Sequence, residues 1–164
     1  GRFIHPRVEA ELAVVTNRVL RGPGCHLGTA LAAIDIVLPA VEVIDSRYKD
    51  FRFDLKSVVA DNTSAAAFVA GGRSMRPTDL DLPTLGVVME RNGEIVELGA
   101  GAAVLGHPAA SVAMLANMLA ARGEEIPAGT FIMTGGITAA VAVEAGDCIN
   151  VRYQALGSVG FRFA

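Results

Sequence analysis

Three carboxylates on two short apolar segments are the side chains of this sequence best suited to chemistry. Glu9 and Glu11 lie two residues apart near the start, and Glu42 follows about thirty residues later. Alternate side chains of an extended strand point to the same face, so Glu9 and Glu11 are expected on one face and their apolar neighbours on the other. Three converging carboxylates are suited to bind a hard divalent cation.

The spacing leaves a second interpretation of these carboxylates open. Glu9 and Glu11 also fit the solvent-exposed side of an amphipathic strand, with Glu42 hydrated as well. Against this, Glu42 lies within residues 36–44, where every other residue is uncharged. Burying like charges is costly unless a cation or hydrogen-bond donors compensate them. The composition around Glu42 therefore favours a partly buried cluster with a positively charged partner.

The length and composition predict a single domain over residues 1–164. The 14 basic and 17 acidic residues give a formal charge of -3, and neither sign is clustered, which argues against a nucleic-acid or membrane surface. The sequence contains two tyrosines and no tryptophan, so aromatic platforms for stacking bases are not expected. We also expect no apolar run of the roughly eighteen residues that span a bilayer.

The cysteines and the first residue bear on location and completeness. Cys25 and Cys148 are far apart and match no metal-binding spacing, which favours reduced core thiols in a cytoplasmic protein over a disulfide. The sequence begins with glycine, not methionine, and enters a predicted core strand almost at once. We therefore expect an N-terminally truncated chain that carries one catalytic, metal-binding domain.

The pattern of apolar residues predicts an α+β protein with more strands than helices. Asn92-Gly93 supplies the positive φ that a tight hairpin turn requires. There is no alternation of strands with helices, so a strongly curved sheet is favoured over a doubly wound one. Strands are predicted at residues 8–15, 39–44, 85–90, 94–98, 130–134, 140–143, 148–153 and 158–163, and helices at residues 29–35 and 108–122. A further strand of small residues is predicted after the loop at 61–64, ending at Gly71-Gly72.

Two loops are candidate substrate-binding segments. Thr134 and Gly135 follow an apolar strand, where exposed backbone N–H groups can receive a substrate carboxylate, although a plain glycine turn explains this pattern equally well. Residues 61–64 place four short polar side chains in one loop, which can bind a ligand or cap the next element. We take Asn62 and Ser64 from this loop, with Thr134 and Gly135, as candidate substrate-binding residues.

Other polar residues are expected to have structural roles. No two histidines have a metal-ligand spacing, and none lies near a nucleophile motif, so loop or packing positions are predicted for all three. Arg47 is expected to pair with Asp45 or Asp50 and not with a substrate. The three histidines are His5, His26 and His107.

Five ordered motifs resemble the C-terminal part of the hydratase and decarboxylase branch of the fumarylacetoacetate hydrolase superfamily, over essentially the whole chain. They are His-Pro-Arg-Val-Glu-Ala-Glu at residues 5–11, Val-Glu-Val-Ile-Asp-Ser-Arg at 41–47, Ala-Asp-Asn-Thr-Ser at 60–64, Leu-Gly-His-Pro at 105–108 and Thr-Gly-Gly at 134–136. The resemblance implies a fumarylacetoacetate hydrolase-like fold, a curved mixed β-sheet roll with a few flanking helices. It also implies Mg²⁺ or Mn²⁺ held by two glutamates of an ExE motif and a third acidic residue, matching Glu9, Glu11 and Glu42.

Within this branch, residues 22–26, 53–62 and 135–141 are more similar to decarboxylases than to 2-keto-4-pentenoate hydratases, which usually read Thr-Gly-Ala-Leu-Gly in the last segment. The resemblance implies decarboxylation of an α-keto diacid, 2-oxo-3-hexenedioate, to 2-hydroxypenta-2,4-dienoate in the meta-cleavage degradation of aromatic compounds. The alternatives are the sister hydratase, which uses the same metal but adds water, and a non-catalytic interaction subunit.

Three departures from the family pattern accompany the resemblance. Family members carry an N-terminal segment with a general-acid lysine, which this sequence lacks, so its own catalytic residue is unknown. Ala67 stands where the decarboxylases tend to carry an arginine, which implies weaker recognition of the distal carboxylate. The hydrolase branch tends to place a lysine near Asp61 and Asn62, and its absence argues against hydrolysis. The resemblance further implies a homo-oligomer and a complex with the pathway hydratase.

Overall fold

The computed structural model describes residues 2–164, in which nine strands and three helices are found. Short 3-10 turns at Lys49–Phe51, Asn62–Ser64, Pro77–Asp79 and Gly101–Ala103 lie between them. In chain order the elements are β1 (Arg7–Thr16), α1 (Leu27–Ala33), β2 (Ile34–Ile44), α2 (Leu55–Ala60), β3 (Ala65–Ala70), β4 (Gly86–Arg91), β5 (Glu94–Ala100), α3 (Pro108–Ala120), β6 (Phe131–Met133), β7 (Val141–Ala142), β8 (Cys148–Tyr153) and β9 (Gly157–Arg162).

The strands form two sheets, and every ladder among the described residues is antiparallel. The first sheet has the order β3-β2-β1-β6, with β7 also paired to β1, and the second has the order β5-β4-β8-β9. The predicted hairpin at Asn92-Gly93 joins β4 to β5, and both turn residues have positive φ. The predicted α+β class is therefore confirmed.

The two sheets bury their apolar faces against each other. On β1 the even-numbered residues from Val8 to Val14 are at most 1% exposed. Their partners on β2 are three valines and Pro39. Met89 of β4 and Val151 of β8 join the same core from the second sheet. The hydroxyl of Tyr153 on β8 donates to the carbonyl of Ala40 on β2, which ties the sheets together. Because one face of β1 is fixed in this core, its odd-numbered residues must point away from it.

Two aromatic rings show how strongly the first sheet curls. Phe68 on β3 and Phe131 on β6 lie on opposite edge strands, which three strand spacings would separate by about 14 Å in a flat sheet. Their ring centroids are nevertheless only 5.3 Å apart, in a stacked arrangement. Both residues pair with positions on the face of β1 and β2 that points away from the core. That face is therefore concave, and the predicted curvature is confirmed.

The prediction that Pro39 opens a strand is wrong, because Pro39 lies inside β2. Its carbonyl accepts a hydrogen bond from Gly71, just beyond the end of β3. The N–H and C=O of an extended residue point to the same side, so the N–H that proline lacks would also have pointed past the end of β3. The ladder with β1 is undisturbed, and the strand continues back to Ile34.

The first predicted helix is displaced by two residues. The imidazole of His26 caps α1 by accepting from the N–H of Thr29, so the helix begins at Leu27 and ends at Ala33. Asp35, predicted to be helical, belongs to β2. The second predicted helix, α3, is found as expected, and Gly123 beyond its end has φ 73°.

Residues 101–120 are long and apolar enough by composition to cross a membrane, so the expectation of no such run is wrong. Only 13 of these residues form α3, and a helix of that length spans about 20 Å, well short of a bilayer core of about 30 Å. Val112 and Ala116 are fully buried against the rest of the protein. In this structure α3 is a core helix.

Both cysteines are free thiols, as predicted, but only Cys25 is buried. Cys148 is the first residue of β8 and lies on the same face of that strand as Arg152, which is also exposed. The prediction that both thiols lie in the core is therefore wrong for Cys148. The period of two along β8 buries Ile149 and Val151 instead.

Asn117 fastens the segment before α1 to α3. Its side-chain oxygen accepts from the N–H of Cys25 at 2.9 Å, and its amide donates to the Cys25 carbonyl at 2.8 Å. Asn117→Ala leaves both backbone groups without partners, so we expect a loss of about 2 kcal/mol in the free energy of unfolding, measured by urea denaturation. Met118→Ala, on the 62% exposed neighbour, should change it by less than about 0.5 kcal/mol. Equal losses in the two variants would contradict this role.

Candidate metal centre

The antiparallel register of β1 and β2 brings the three glutamates together. Glu9 and Glu42 are direct cross-strand partners, so their side chains leave the sheet on the same face. Glu11 lies two residues further along β1 and points to that face as well. One carboxylate oxygen from each of the three lies within 4.8 Å of the others. The predicted cluster is present as an arrangement of side chains on the concave face of the sheet.

The cluster is electrostatically unfavourable in the absence of a cation. Burial raises the pKa of Glu11, the hydrogen bond from the Gly135 N–H lowers it, and the neighbouring Glu42 and Glu9 carboxylates raise it again, so that the pKa is about 8. The pKa of Glu9 is raised by burial and then by Glu42. Burial likewise raises the pKa of Glu42. With Glu11 only 2% exposed, water cannot screen this repulsion, and a proton or a metal ion must offset it.

The turn that follows β6 positions the glutamates of β1. The N–H of Gly135 donates to a carboxylate oxygen of Glu11 at 2.8 Å, and Gly135 has φ 113°, which only glycine adopts readily. At Gly136 a Cβ atom would lie 2.6 Å from a carboxylate oxygen of Glu9. The backbone of this turn therefore packs directly against both carboxylates, a role that the sequence analysis did not identify.

The same turn holds two of the predicted substrate-binding residues. Thr134 is buried, and both its N–H and its hydroxyl donate to the carbonyl of Leu12, at 3.0 and 2.8 Å. The N–H of Gly135 is the one that Glu11 accepts. Both residues adjoin the carboxylate cluster, but these donors already have partners in the protein. Substrate binding by Thr134 and Gly135 stays a prediction.

The other two predicted substrate-binding residues lie in an unusual turn after α2. Asn62, Thr63 and Ser64 have φ values of 51°, 54° and 61°. Left-handed backbone costs an L-residue about 1–2 kcal/mol, and it is least favourable for a β-branched side chain such as Thr63. Asn62 lines a cleft together with Glu42, whereas Ser64 is buried beneath the turn. Substrate binding by Asn62 and Ser64 also stays a prediction.

A buried carboxylate holds this strained turn in place. Asp61 is 2% exposed and accepts from the hydroxyl of Ser46, the N–H of Arg47 and, at 3.3 Å, the hydroxyl of Ser64. Burial opposes ionisation of Asp61, but the hydrogen bonds from Ser46 and Arg47 and the Arg47 charge outweigh it and lower its pKa. Asp61 is thus a structural anion: its Oδ2 accepts three hydrogen bonds, and its Oδ1 faces the guanidinium of Arg47.

The guanidinium of Arg47 pairs with Asp61, so the prediction of a partner at Asp45 or Asp50 is wrong. Asp45 accepts instead from the backbone N–H groups of Ile4 and His5, at 2.8 Å each. Asp50 lies in the 3-10 turn with φ 57°. Arg47 reaches Asp61 because the β2–β3 ladder brings the two loops together, which sequence distance does not reveal.

The histidines occupy structural positions, as predicted. The imidazole of His5 stacks on Phe51 with centroids 4.9 Å apart. His107 caps α3 by accepting from the N–H of Ala109 at 3.0 Å, as His26 caps α1. Burial lowers the pKa of His107 despite the nearby charge of Asp81.

An open cleft of about 550 Å³ adjoins the carboxylate cluster on the concave face. Its size falls within the range of small-molecule sites. Glu42 supplies the acidic part of its lining, and Phe68 and Met133 supply apolar side chains. The apolar residues went unnoticed in the sequence because β3 and β6 approach each other only through the curl of the sheet. The lining residues are Arg2, Glu42, Asn62, Ala65, Ala66, Ala67, Phe68 and Met133.

Comparison with known proteins shows the family of this chain. Residues 3–164 match the family described as fumarylacetoacetate (FAA) hydrolase C-terminal. The chain belongs to the fumarylacetoacetate hydrolase family. Its fold is thereby shown as well. Solved structures at 14–18% identity superpose on it with TM-scores of 0.70–0.73, among them a 5-carboxymethyl-2-hydroxymuconate delta-isomerase from Mycobacterium smegmatis.

Several known proteins are much more similar to this chain. A 4-oxalocrotonate decarboxylase from Pseudomonas putida is 70% identical over 163 residues, 99% of this chain and 62% of that protein. The structure of the enzyme from Pseudomonas putida G7, complexed with magnesium and adipate, superposes with a TM-score of 0.97 at 69% identity, again over 99% and 62% of the two chains. A 2-oxo-hept-4-ene-1,7-dioate hydratase from Escherichia coli is 41% identical over 168 residues, 99% of this chain and 63% of that protein. This chain thus spans somewhat under two thirds of the curated relatives it matches.

The stability of the metal-free protein should depend on pH through Glu11. Its carboxyl has a pKa of about 8 when folded and about 4.5 when unfolded, so the folded state holds the extra proton between these values. The free energy of unfolding should therefore fall as the pH rises from 5 to 8, by about 3 kcal/mol. Carboxyls with lowered pKa values, such as Asp61, titrate below this window.

Urea denaturation in the presence of a chelator at several pH values measures this slope, the change in the free energy of unfolding with pH. Glu11→Gln keeps an oxygen for the Gly135 N–H but has no titrating group, so most of the slope should disappear. The matched control, Glu94→Gln, removes an exposed carboxylate from β5 in the second sheet and should keep it. A free energy of unfolding that does not change between pH 5 and 8 in the wild type would contradict the raised pKa of Glu11.

Proposed function

We propose that this chain is the metal-binding part of a Mg²⁺-dependent 4-oxalocrotonate decarboxylase, with Mn²⁺ as the alternative ion. The observation that carries the proposal is the cluster of Glu9, Glu11 and Glu42 on the concave face of the sheet. The 70% identity to a Pseudomonas putida enzyme of that name supports the same reaction. Residues 1–164 would act as one catalytic domain within a longer protein of the kind its relatives represent.

The three glutamates fit a divalent ion chemically. They offer hard oxygen donors, which Mg²⁺ prefers, and three protein ligands leave positions for the substrate or water. The raised pKa of Glu11 marks a site where negative charges are close and a cation would relieve the repulsion. The N–H of Gly135 would hold the Glu11 carboxylate in place in either state.

When bound, Mg²⁺ would act as a Lewis acid toward the carboxylate and 2-oxo oxygens of the substrate, stabilising the negative charge that develops on the 2-oxo oxygen as CO₂ leaves. Glu9, Glu11 and Glu42 would hold the ion. The amide of Asn62 would donate to the substrate from the side of the cleft near Glu42. The apolar side chains of Phe68 and Met133 would exclude water from the reacting carbons. The resemblance implies that a general-acid lysine comes from the N-terminal part of the longer relatives.

A hydratase is the second candidate, because the same carboxylate cluster would serve it and a hydratase from Escherichia coli is 41% identical. The lower identity places it behind the decarboxylase. A non-catalytic subunit fits less well, since a protein that binds no metal gains nothing from burying three carboxylates. We also propose an α-keto acid substrate, self-association or a complex with the pathway hydratase, and a cytoplasmic location. The exposed apolar side chains of Leu55 and Met118 support association, and the two free thiols support the cytoplasm.

The decisive experiment is release of labelled CO₂ from 2-oxo-3-hexenedioate that carries the label in its distal carboxylate. It is made with Mg²⁺ and with chelator, both on this chain and on a chimera that adds the N-terminal part of the Pseudomonas putida relative. We expect metal-dependent release from the chimera, and its loss in Glu42→Gln because one of the three ligands is weakened. Release by this chain alone would mean that the N-terminal lysine is dispensable.

The products separate the candidates. Addition of water to 2-hydroxypenta-2,4-dienoate, with no labelled CO₂ released, would support the hydratase. Failure of both reactions, together with no Mg²⁺ binding in a calorimetric titration, would leave the interaction subunit and overturn the proposal.

Gly136→Ala tests how the turn after β6 positions the metal ligands. The added methyl group would lie 2.6 Å from the Glu9 carboxylate, which can move because it ends a flexible side chain. We therefore expect Mg²⁺ affinity to fall at least tenfold in a calorimetric titration, with less than about 1 kcal/mol lost in the free energy of unfolding. Gly160→Ala is the control, because its methyl group would meet other atoms only at 3.7 Å or beyond. Unchanged Mg²⁺ affinity in Gly136→Ala would contradict this role.

A further inference from the structure

The turn between α2 and β3 holds three consecutive residues in the left-handed region, and none of them is glycine. Asn62, Thr63 and Ser64 have φ values of 51°, 54° and 61°. Two other tight turns use glycine for a left-handed residue, at Gly93 with φ 86° and at Gly146 with φ 99°. Strained backbone persists only where surrounding contacts hold it, and it is concentrated at ligand-binding and active sites. A turn that only connected α2 to β3 would not need side chains at these three positions.

Both ends of this turn are fastened to the loop that follows β2. At its start, Asp61 accepts from the Ser46 hydroxyl and the Arg47 N–H, at 2.8 and 3.1 Å, and pairs with the Arg47 guanidinium. At its end, the carbonyl of Ser64 accepts from the N–H of Asp45 at 2.8 Å, and the Ser64 hydroxyl donates to Asp61. Ser46, Asp61 and Ser64 are each at most 2% exposed. The turn therefore cannot relax without breaking buried hydrogen bonds.

The anchored turn presents one side chain to the cleft beside the carboxylate cluster. Asn62 is exposed and lines this cleft together with Glu42. The hydroxyl of Thr63 donates to the backbone carbonyl of Asn62, but the side-chain amide of Asn62 has no hydrogen-bond partner among residues 2–164. Glu42 lies on β2, which runs directly into the loop that holds Asp61. The turn and this candidate metal ligand are thus fixed to the same strand.

We propose that Asp61 and Arg47 are positioning residues, which hold the amide of Asn62 toward a ligand bound at the metal centre. The inference rests on the proposed function, in which an α-keto acid binds Mg²⁺ at the three glutamates. An amide N–H donates to a carboxylate or 2-oxo oxygen only within a narrow range of distance and angle. A shift of about 1 Å in the turn would lose this bond. The contacts of Asp61 would keep the amide in place before the ligand binds.

A second buried aspartate shows what a purely structural role would produce. Asp147 is 7% exposed and accepts from the amide of Asn92 and the N–H of Glu144, at 2.6 and 3.0 Å. It holds a turn whose left-handed residue is Gly146, and it belongs neither to the lining of the cleft nor to the carboxylate cluster. Asp147→Asn is therefore the matched control for Asp61→Asn, because each change removes a buried carboxylate that fastens a turn.

The test measures binding of 2-oxobutanoate, an α-keto acid with one carboxylate, to the Mg²⁺-loaded protein by calorimetry. Mg²⁺ alone is titrated first, and the urea midpoint of each variant is recorded. The variants are Asp61→Asn, Arg47→Gln, Asn62→Gly and the double variant Asp61→Asn/Asn62→Gly, with Asp147→Asn as the control. Glycine at residue 62 removes the amide and tolerates the left-handed backbone, so it adds no strain.

We expect Asp61→Asn to weaken binding of 2-oxobutanoate about tenfold and of Mg²⁺ less than about twofold, because the glutamates keep their places. Arg47→Gln should weaken binding of the acid about threefold, since the Arg47 side chain is exposed and solvent screens its charge. Asn62→Gly should itself weaken it about tenfold, and adding Asp61→Asn should weaken it no further, because Asp61 acts through Asn62. Asp147→Asn should lower the urea midpoint as Asp61→Asn does and leave the affinity for the acid unchanged.

Thr63→Gly separates positioning from stability. Glycine adopts the left-handed backbone more readily than threonine, so the urea midpoint should not fall. The turn becomes less rigid, however, and the affinity for 2-oxobutanoate should fall about threefold. Unchanged affinity for the acid in this variant would contradict the need for a rigid turn.

The outcomes separate this inference from the proposed function. Wild-type affinity for 2-oxobutanoate in Asp61→Asn, or losses that multiply in the double variant, would overturn the positioning role alone. An equal loss of affinity in Asp147→Asn would do the same, because it would show a general effect of lower stability. Absence of Mg²⁺ binding, or of 2-oxobutanoate binding, in the wild type would overturn the proposed function together with the inference that rests on it.

Discussion

The repulsion among three carboxylates on one face of a sheet is the constraint around which this structure is arranged. An antiparallel register places Glu9 directly opposite Glu42, a pairing that is unfavourable between like charges. Slipping the register by one residue would separate the charges but would also turn the valines of β1 and β2 out of the core. Burial of the apolar face therefore fixes the register of β1 and β2, and this register places the carboxylates side by side. Ten paired positions of the ladder maintain it.

Two buried carboxylates in this protein show the difference between a structural anion and a candidate binding site. Asp61 and Glu11 are each 2% exposed. Asp61 has hydroxyl, backbone and guanidinium donors, and its pKa is lowered despite burial. Burial raises the pKa of Glu11, one backbone N–H offsets this in part, and two further carboxylates raise the pKa again. Both carboxylates are equally buried. They differ in the donors around them, and Glu11, which has fewer, is the one whose charge a bound cation would compensate.

Local sequence patterns predicted the parts of the protein that depend on neighbouring residues. The strand period placed Glu9 and Glu11 on one face, and Asn92-Gly93 located the hairpin, because each pattern is decided within a few residues. The partner of Arg47 and the position of Pro39 were mispredicted, since both depend on which strands and loops lie side by side. The stacking of Phe68 on Phe131 was not foreseen at all, because it follows from curvature accumulated over four strands. The candidate ligands were thus readable from the sequence, whereas the shape of the cleft around them was not.

Other parts of the fold hold the three glutamates in place despite their electrostatic repulsion. Behind the glutamates, Tyr153 crosses from the second sheet to the carbonyl of Ala40, the residue paired with Glu11. In front of them, Gly135 donates its N–H to Glu11, and Gly136 leaves the space beside Glu9 that a Cβ atom would fill. Neither feature neutralises the charges; both restrict where the charged groups can go. If the site could relax, the carboxylates would move apart and the affinity for a divalent ion would fall. The stability of the inter-sheet core therefore keeps the three carboxylate oxygens close enough to bind a single ion.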